Sequence, residues 1–198
     1  MTKHHTRRLL FPPFVFLLFL GTAQLSSAAS VEPQFTYSSL SGAQAETVDW
    51  ALGLFEDAGL ELPNIEFVGY DDPEMCHGRA GSAQPVDGGA LVKLCTTEIG
   101  PTEERWILHE VAHTWDYHNL DDQERASFLA LRGLDAWSEG EWHERGSENA
   151  AEMLVWGLID RPFNTVHIYD NSCADLRAGY LELVGVEPLH GYTDLCSK

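Results

Sequence analysis

The sequence predicts an α+β domain in which one helix and a short β-sheet precede a run of helices. Residues 64–70 (NIEFVGY) alternate apolar and polar side chains, as a half-buried strand does, and residues 90–95 (ALVKLC) form a second candidate strand. From residue 100 onwards, helix start and stop signals bound segments with helical spacing of apolar residues. This order of elements favours the α+β class over alternating strands and helices.

Local signals place each element in turn. Val48, Leu52 and Phe55 recur at helical spacing in 42–58, where Gly59 is a plausible stop signal. The Gly- and Asp-rich segment between the two strands predicts a loop, and the second strand is expected to pair near the first. Further helices are expected from Pro101 to about residue 118, from Asp121 (a capping box with Glu124) to about residue 131, over 147–159, and over 173–185.

Residues 1–29 have the organisation of a secretory signal peptide. Basic residues precede an apolar segment (LLFPPFVFLLFLG), and Ser27 and Ala29 supply small residues for cleavage after Ala29. An uncleaved membrane anchor is the alternative, but two prolines interrupt the segment, which is short for a span of about 20 residues. We therefore expect a secreted single domain over 30–198, with no stable membrane insertion of the mature chain.

The charge balance excludes some classes of partner. The 198 residues contain 31 acidic and 12 basic side chains, a formal net charge of −19. Nucleic acids and anionic membranes repel such a surface, whereas basic substrates are mildly favoured. Net charge does not locate charge near a site, however. We expect a monomer, and residues 30–40 to be a short propeptide or a flexible lead-in.

The four cysteines all lie in the expected mature chain, and an even number outside the cytosol indicates two disulfides. Of the three possible pairings, we favour Cys76–Cys95 and Cys173–Cys196, because each pair is close in sequence. The alternative is a metal cluster using Cys76 and His77, but the C-x2-C spacing of a structural zinc site is absent.

The motif HEVAH, residues 109–113, indicates a metal centre. His109 and His113 are four residues apart, so on a helix both can bind one Zn²⁺ from the same face. Glu110 can hold a water molecule and take its proton. The apolar Leu108, Val111 and Trp115 lie on the opposite side, as expected of a helix facing the core. The structural alternative is two hydrogen-bonded histidines on a half-buried helix.

A catalytic zinc site needs a third protein ligand. The metzincin extension is absent, since Asp116 stands where that class needs glycine. Asp116 shares the helix of both histidines, His118 points away, and His143 lies in a polar loop from which it could reach back. Glu148, in the predicted downstream helix, is the best candidate. Glu152, one turn further on, can accept the free ring N–H of a ligand histidine.

HEVAH followed by a helix carrying E-N-A-A-E resembles the gluzincin zinc metallopeptidases, the thermolysin-like group, in a compact form. The resemblance covers the two helices and ALVKLC as the edge strand. It implies a secreted peptidase with one catalytic Zn²⁺ on His109, His113 and Glu148, Glu110 as general base, and Glu152 supporting a histidine. Where the larger group has the pattern N-E-x-x-x-D, this sequence has Ser147 in place of the asparagine and Glu152 in place of the aspartate, on either side of Glu148.

Several further roles stay open at this point. A Tyr or His often stabilises the oxyanion in such peptidases, and four candidates are His143, His167, Tyr169 and Tyr180; Trp106 is expected to line the cleft. Other functions are a non-catalytic metal-stabilised binding module, or a zinc amidase acting on a cell-wall crosslink or another non-protein amide. The intact Glu110 favours the peptidase, since a structural site needs no general base.

Overall fold

A four-stranded sheet forms one side of the protein in a computed structural model that describes residues 33–96, 98–161, 163, 166–191 and 196. The described strands are β1 (Phe35–Ser38), β2 (Ile65–Gly69), β3 (Gly81–Val86) and β4 (Gly89–Leu94). Their order is β1-β2-β4-β3. β1, β2 and β4 are parallel, whereas β3 is antiparallel to β4 and forms an edge.

Helices make up most of the rest, so the α+β prediction is confirmed. The described helices are α1 (Gly42–Asp57), α2 (Pro101–Asn119), α3 (Asp122–Arg132), α4 (Gly146–Leu158) and α5 (Cys173–Val184). All five were expected within about two residues of these bounds. The predicted capping box is present, since Asp121 Oδ1 accepts from Glu124 N (2.9 Å) and Glu124 Oε2 accepts from Asp121 N (2.8 Å).

The core extends from the sheet across α2 to α4, which packs against α2, α3 and α5. Phe67 of β2 and Val92 of β4 are fully buried, as are Leu108 and Val111 of α2. Every residue of α4 is buried, which explains its almost uninterrupted apolar sequence after Glu152. α4 therefore holds its first turn, which carries the predicted glutamate ligand, firmly against α2.

The sheet differs from the sequence prediction in its edge. The segment between the two predicted strands was expected to be a loop, but it contains a 3-10 helix (Pro73–Cys76) and β3. ALVKLC was expected to be the edge strand, but β4 is an inner strand between β2 and β3. Asp87 and Gly88, a two-residue turn with Gly88 at φ 82°, join β3 to β4. Pro85 is tolerated in β3 because an edge strand has one unpaired side.

The N-terminal region also differs in part. Phe35–Ser38 pairs in parallel with β2, so a flexible lead-in is wrong for these residues. The predicted signal peptide, residues 1–29, lies outside the described residues.

Both favoured disulfides are confirmed. Cys76–Cys95 joins the 3-10 helix to the end of β4, with its Cα atoms 6.1 Å apart, and Cys173–Cys196 ties the start of α5, with its Cα atoms 5.0 Å apart. Disulfides of this kind are typical of proteins outside the cytosol. In the part of the chain that the structure describes, no helix is both long enough and apolar enough to cross a bilayer.

Candidate metal centre

Helices α2 and α4 bring the three predicted ligands together. His109 and His113 lie one turn apart on α2, and Glu148 lies in the first turn of α4. Glu148 Oε2 is 3.0 Å from His109 Nε2 and 3.2 Å from His113 Nε2. One ligand atom from each residue lies within 4.8 Å of the other two, and all three residues are buried. In the described residues this is the one such group of three or more His, Cys, Asp or Glu.

The donor set and its spacing fit a zinc ion. Two zinc bonds of about 2.0–2.1 Å at a tetrahedral angle separate their ligand atoms by about 3.3 Å. The two Nε2–Oε2 distances, 3.0 and 3.2 Å, are close to that separation. Two imidazoles and one carboxylate are also the donor set of many catalytic zinc sites, which keep a fourth position for water or substrate.

His109 is supported from α4. Its Nδ1 lies 3.1 Å from Glu152 Oε1, a contact at hydrogen-bonding distance that falls short of good alignment. Both carboxylate oxygens of Glu152 accept from one nitrogen, Nη2, of Arg105 of α2, and Glu152 Oε2 also accepts a hydrogen bond from His167 N at 3.3 Å. The predicted supporting role of Glu152 therefore agrees with its position.

His113 is supported within its own helix. Its Nδ1 lies 3.2 Å from Asp116 Oδ2, while the buried Asp116 Oδ1 has no hydrogen-bond partner among the described residues. Asp116 is fully buried behind the histidine and is not among the candidate ligands. Carboxylates in this position fix the ring tautomer of a metal-binding histidine.

The carboxylates around His109 and His113 favour a positive charge on the imidazole rings. Burial alone would lower the pKa of His113, but hydrogen bonds to Asp116 and Glu148 outweigh it and raise that pKa well above its ordinary value. Burial also lowers the pKa of His109, but its interactions with Glu148 and Glu152 outweigh burial, and the pKa is raised overall. Against the opposing effect of burial, the histidines hold the pKa of Glu148 below its ordinary value. The site therefore favours a buried cation beside its carboxylates.

Glu110 lies between the ligands and the edge strand. Its side chain is close to Gly81 of β3, where an added Cβ would stand 3.0 Å from Glu110 Cγ. Only 8% of Glu110 is exposed. Burial raises its pKa, and the nearby charges of His113, His109 and Arg79 lower it in part. A carboxylate in such a place can exchange protons more readily near neutral pH than an exposed one.

A cleft of about 920 Å³ opens in front of the ligands, and Glu110 lies in its wall. Trp106 lines it as expected, together with His143, His167 and Tyr169. Tyr180 does not line it: this residue is 1% exposed in α5, where an added Cβ at Gly157 would meet its ring. Tyr180 is therefore wrong as an oxyanion candidate.

Sequence reasoning missed several residues of the site. Tyr117 stacks on His113 with ring centroids 5.9 Å apart, and Trp142 stacks on His109 at 5.9 Å. Arg105 was not considered, although its position four residues before His109 places it on the same helix face. Arg79 and Arg145 also line the cleft. The presence of Arg79 and Arg145 in the cleft depends on tertiary packing, for which the sequence carries no local signal.

His118 is exposed at the end of α2 and is not in the candidate group, as expected. His143 lines the cleft but is likewise not part of the group of three.

Comparison of the chain with protein-family models, curated proteins and solved structures gives no match. Membership of the gluzincin group stays a prediction, and support for a metal centre comes from the chain's own residues.

Proposed function

We propose that this protein is a zinc-dependent hydrolase of peptide bonds. His109, His113 and Glu148 would hold one Zn²⁺, which supplies a Lewis acid that polarises the scissile carbonyl and acidifies a water molecule. The observation that carries the proposal is the position of Glu110, buried beside the three ligands in the wall of an open cleft. A structural zinc site has no use for a carboxylate there.

Glu110 acts as general base and then as general acid. Its carboxylate accepts a proton from the attacking water and delivers that proton to the leaving nitrogen. Burial, which raises its pKa, helps it to hold the proton between these two steps. Glu152 and Asp116 keep the histidine rings oriented so that both Nε2 atoms face Glu148.

The edge strand supports a peptide as the substrate. Gly81, Ser82 and Ala83 of β3 line the cleft, and within the described sheet β3 pairs only with β4. An extended peptide can add to such a free strand edge through main-chain hydrogen bonds. His143, His167 and Tyr169 are the candidates for stabilising the oxyanion, because all three line the cleft.

We also propose that the chain is exported and acts as a monomer. The two disulfides and the signal-peptide pattern of residues 1–29 support export. Expression with an N-terminal sequence determination tests this proposal, and an exported chain that begins at residue 30 is expected.

The test of the activity combines metal analysis with a cleavage assay. Purified protein is expected to contain one zinc per chain and to cleave casein or a peptide library, and a chelator should abolish cleavage until zinc is restored. Glu110→Gln is the matched variant, because it keeps the size and the hydrogen bonding of the side chain. It should retain zinc and lose at least about 100-fold in kcat.

Each contrary result has a distinct meaning. Protein without bound metal would contradict the site. One zinc per chain, with no cleavage by wild type or Glu110→Gln, would favour the non-catalytic binding module. Chelator-sensitive hydrolysis of a cell-wall crosslink or another non-protein amide, but of no peptide, would assign the protein to the zinc amidases instead.

A further inference from the structure

The arginines of this acidic protein divide into two groups. Five of the seven in the described residues are absent from the cleft lining: Arg105, Arg161 and Arg177 pair with carboxylates, and Arg125 and Arg132 donate to main-chain carbonyls. The other two, Arg79 and Arg145, both line the cleft in front of the candidate zinc ligands. Neither lies within ion-pair distance of a described carboxylate.

Arg79 lies on the edge-strand side of the cleft. It is exposed in the turn between the 3-10 helix and β3, where its N–H donates to Cys76 O at 3.1 Å. The Cys76–Cys95 disulfide fixes that turn to the end of β4. Arg79 and Glu110 both line the cleft, so the guanidinium lies in the same cleft as the proposed reacting groups.

Arg145 lies on the α4 side, three residues before the ligand Glu148. Its Nε donates to Gly140 O at 2.9 Å, which anchors the side chain. Its two terminal nitrogens make no hydrogen bond or ion pair with the described residues. A guanidinium held at Nε keeps its outer donors for a ligand, and these match the two oxygens of a carboxylate.

Charge in the cleft differs from charge on the whole chain. The chain carries a net charge of −19, yet the only carboxylates among the residues described as lining the cleft are Glu110 and Glu148. Arg79 and Arg145 balance those two charges, and a bound Zn²⁺ would make the cleft positive. The acidic surface therefore repels anions in general, while the cleft with Zn²⁺ bound would attract them. The sequence-based expectation of basic substrates rested on net charge, which does not locate charge near the site.

We propose that the cleft selects peptides that carry an acidic side chain, Glu or Asp, next to the scissile bond, and that Arg79 and Arg145 bind that carboxylate. The inference rests on the proposed hydrolase function and names its substrate class. Because β3 would align the peptide along the cleft, residues on the two sides of the scissile bond face different arginines. Each arginine then determines a separate subsite.

Position-scanned peptide pools test the selectivity. In each pool one position is Glu, Gln or Lys, so that Glu and Gln differ by charge with nearly equal shape. The zinc-loaded protein should cleave at least one Glu pool about tenfold faster in kcat/KM than its Gln partner, the ratio expected of one charge-assisted hydrogen bond. The advantage should shrink as salt rises, since the ion pair is partly exposed.

Variants then assign the subsites. Arg79→Gln and Arg145→Gln should each remove the Glu preference at one position and leave zinc content unchanged. Arg79→Glu should reverse the preference at its position in favour of Lys. Arg177→Gln is the control, because Arg177 is exposed, pairs with Glu187 and is absent from the cleft lining. It should behave as wild type.

A binding measurement separates the inference from the proposed function. Zinc-loaded Glu110→Gln is titrated with the same fluorescent peptides, so that no turnover is needed. Equal cleavage and equal binding of Glu and Gln peptides would overturn the inference and leave the hydrolase intact. Arginine-dependent binding of acidic peptides by a wild type that cleaves none would overturn the hydrolase and retain the selectivity. Failure to bind any peptide would overturn the inference.

Discussion

The two histidines of the candidate zinc site are supported in different ways. His109 Nδ1 faces Glu152, which belongs to α4 and pairs with Arg105 of α2. His113 Nδ1 faces Asp116, which belongs to the same helix and lies only three residues further along. The first support is a tertiary contact between helices, whereas the second forms whenever α2 forms.

This difference indicates what couples the site to the fold. Glu152 is 0% exposed and Arg105 is 3% exposed, so each charge depends on the other for its stability in the core. The pair also holds α2 against α4, which is the packing that brings Glu148 to the histidines. The His109 support should therefore affect folding and zinc binding together, and the His113 support should affect zinc binding almost alone.

The largest effect is expected from Glu152→Leu. It leaves Arg105 buried without its counter-ion and His109 without its acceptor. Loss of one partner of a buried ion pair costs about 3–5 kcal/mol in the free energy of unfolding. Zinc affinity should also fall, by about 100-fold. Urea unfolding of the metal-free protein and a competition titration with a zinc chelator measure the two effects.

Glu104→Leu is the control for that variant. Glu104 is also a helical glutamate paired with an arginine, but its partner Arg161 is 41% exposed and the Nη1–Oε1 contact of 3.1 Å lies at the surface. Such a pair contributes less than about 1 kcal/mol. Equal destabilisation by the two substitutions would contradict the special role assigned to the buried pair.

The second effect is a coupling between the two buried charges. Arg105→Met combined with Glu152→Leu replaces the ion pair with apolar side chains of similar length. The double variant should be more stable than Glu152→Leu alone by about 2 kcal/mol, because no unpaired charge remains. It should bind zinc as weakly as the single variant does. A double variant less stable than either single variant would show that Arg105 and Glu152 act independently.

A smaller effect is expected from Asp116→Asn. The amide oxygen can still accept from His113 Nδ1, but without a negative charge, so zinc affinity should fall by about tenfold. The free energy of unfolding should change by no more than about 1 kcal/mol, because Asp116 Oδ1 has no hydrogen-bond partner to lose in the part of the chain that the structure describes. A loss of stability as large as that of Glu152→Leu would remove the contrast between a local and a tertiary support.

The same contrast explains what the sequence could predict. His109 and His113 are separated by one helical turn, so a local pattern was enough to place them on one face. Capping residues such as Asp121 likewise marked helix ends correctly. Glu148 and Glu152 could be paired with the histidines only through resemblance and spacing within their own helix. Their distances to α2 arise from tertiary packing.

The parts that the sequence did not predict are those that depend on neighbours. β3 contains Gly81 and Pro85, both unfavourable in strands, and it exists because β4 supplies its hydrogen bonds. β1 is four residues long and is likewise defined by its pairing with β2. The Asp87-Gly88 turn was the one local signal of a hairpin, and the surrounding Gly- and Asp-rich composition concealed it.

The last prediction tests this missed strand at the point where it meets Glu110, the proposed general base. In Gly81→Ala, the new methyl group would lie 3.0 Å from Glu110 Cγ and 3.1 Å from Lys93 O, so Glu110 must move by a few tenths of an ångström. We expect kcat to fall by about tenfold, since small misplacement of a reacting group is costly. Zinc content should not change, because neither His109 nor His113 is contacted.

Gly53→Ala in α1 is its control, since an added Cβ there would meet no atom of the described residues within 4 Å. That variant should keep full activity and gain about 0.5–1 kcal/mol from the higher helix propensity of alanine. If Gly81→Ala loses zinc, then β3 supports the ligands rather than the base. If it keeps both zinc and full kcat, then Glu110 tolerates displacement and its contact with the edge strand does not position it. Only a loss of kcat with zinc retained would show that β3 positions Glu110, as Glu152 and Asp116 position the two histidines. The third support of the site would then lie in the strand that local sequence patterns did not reveal.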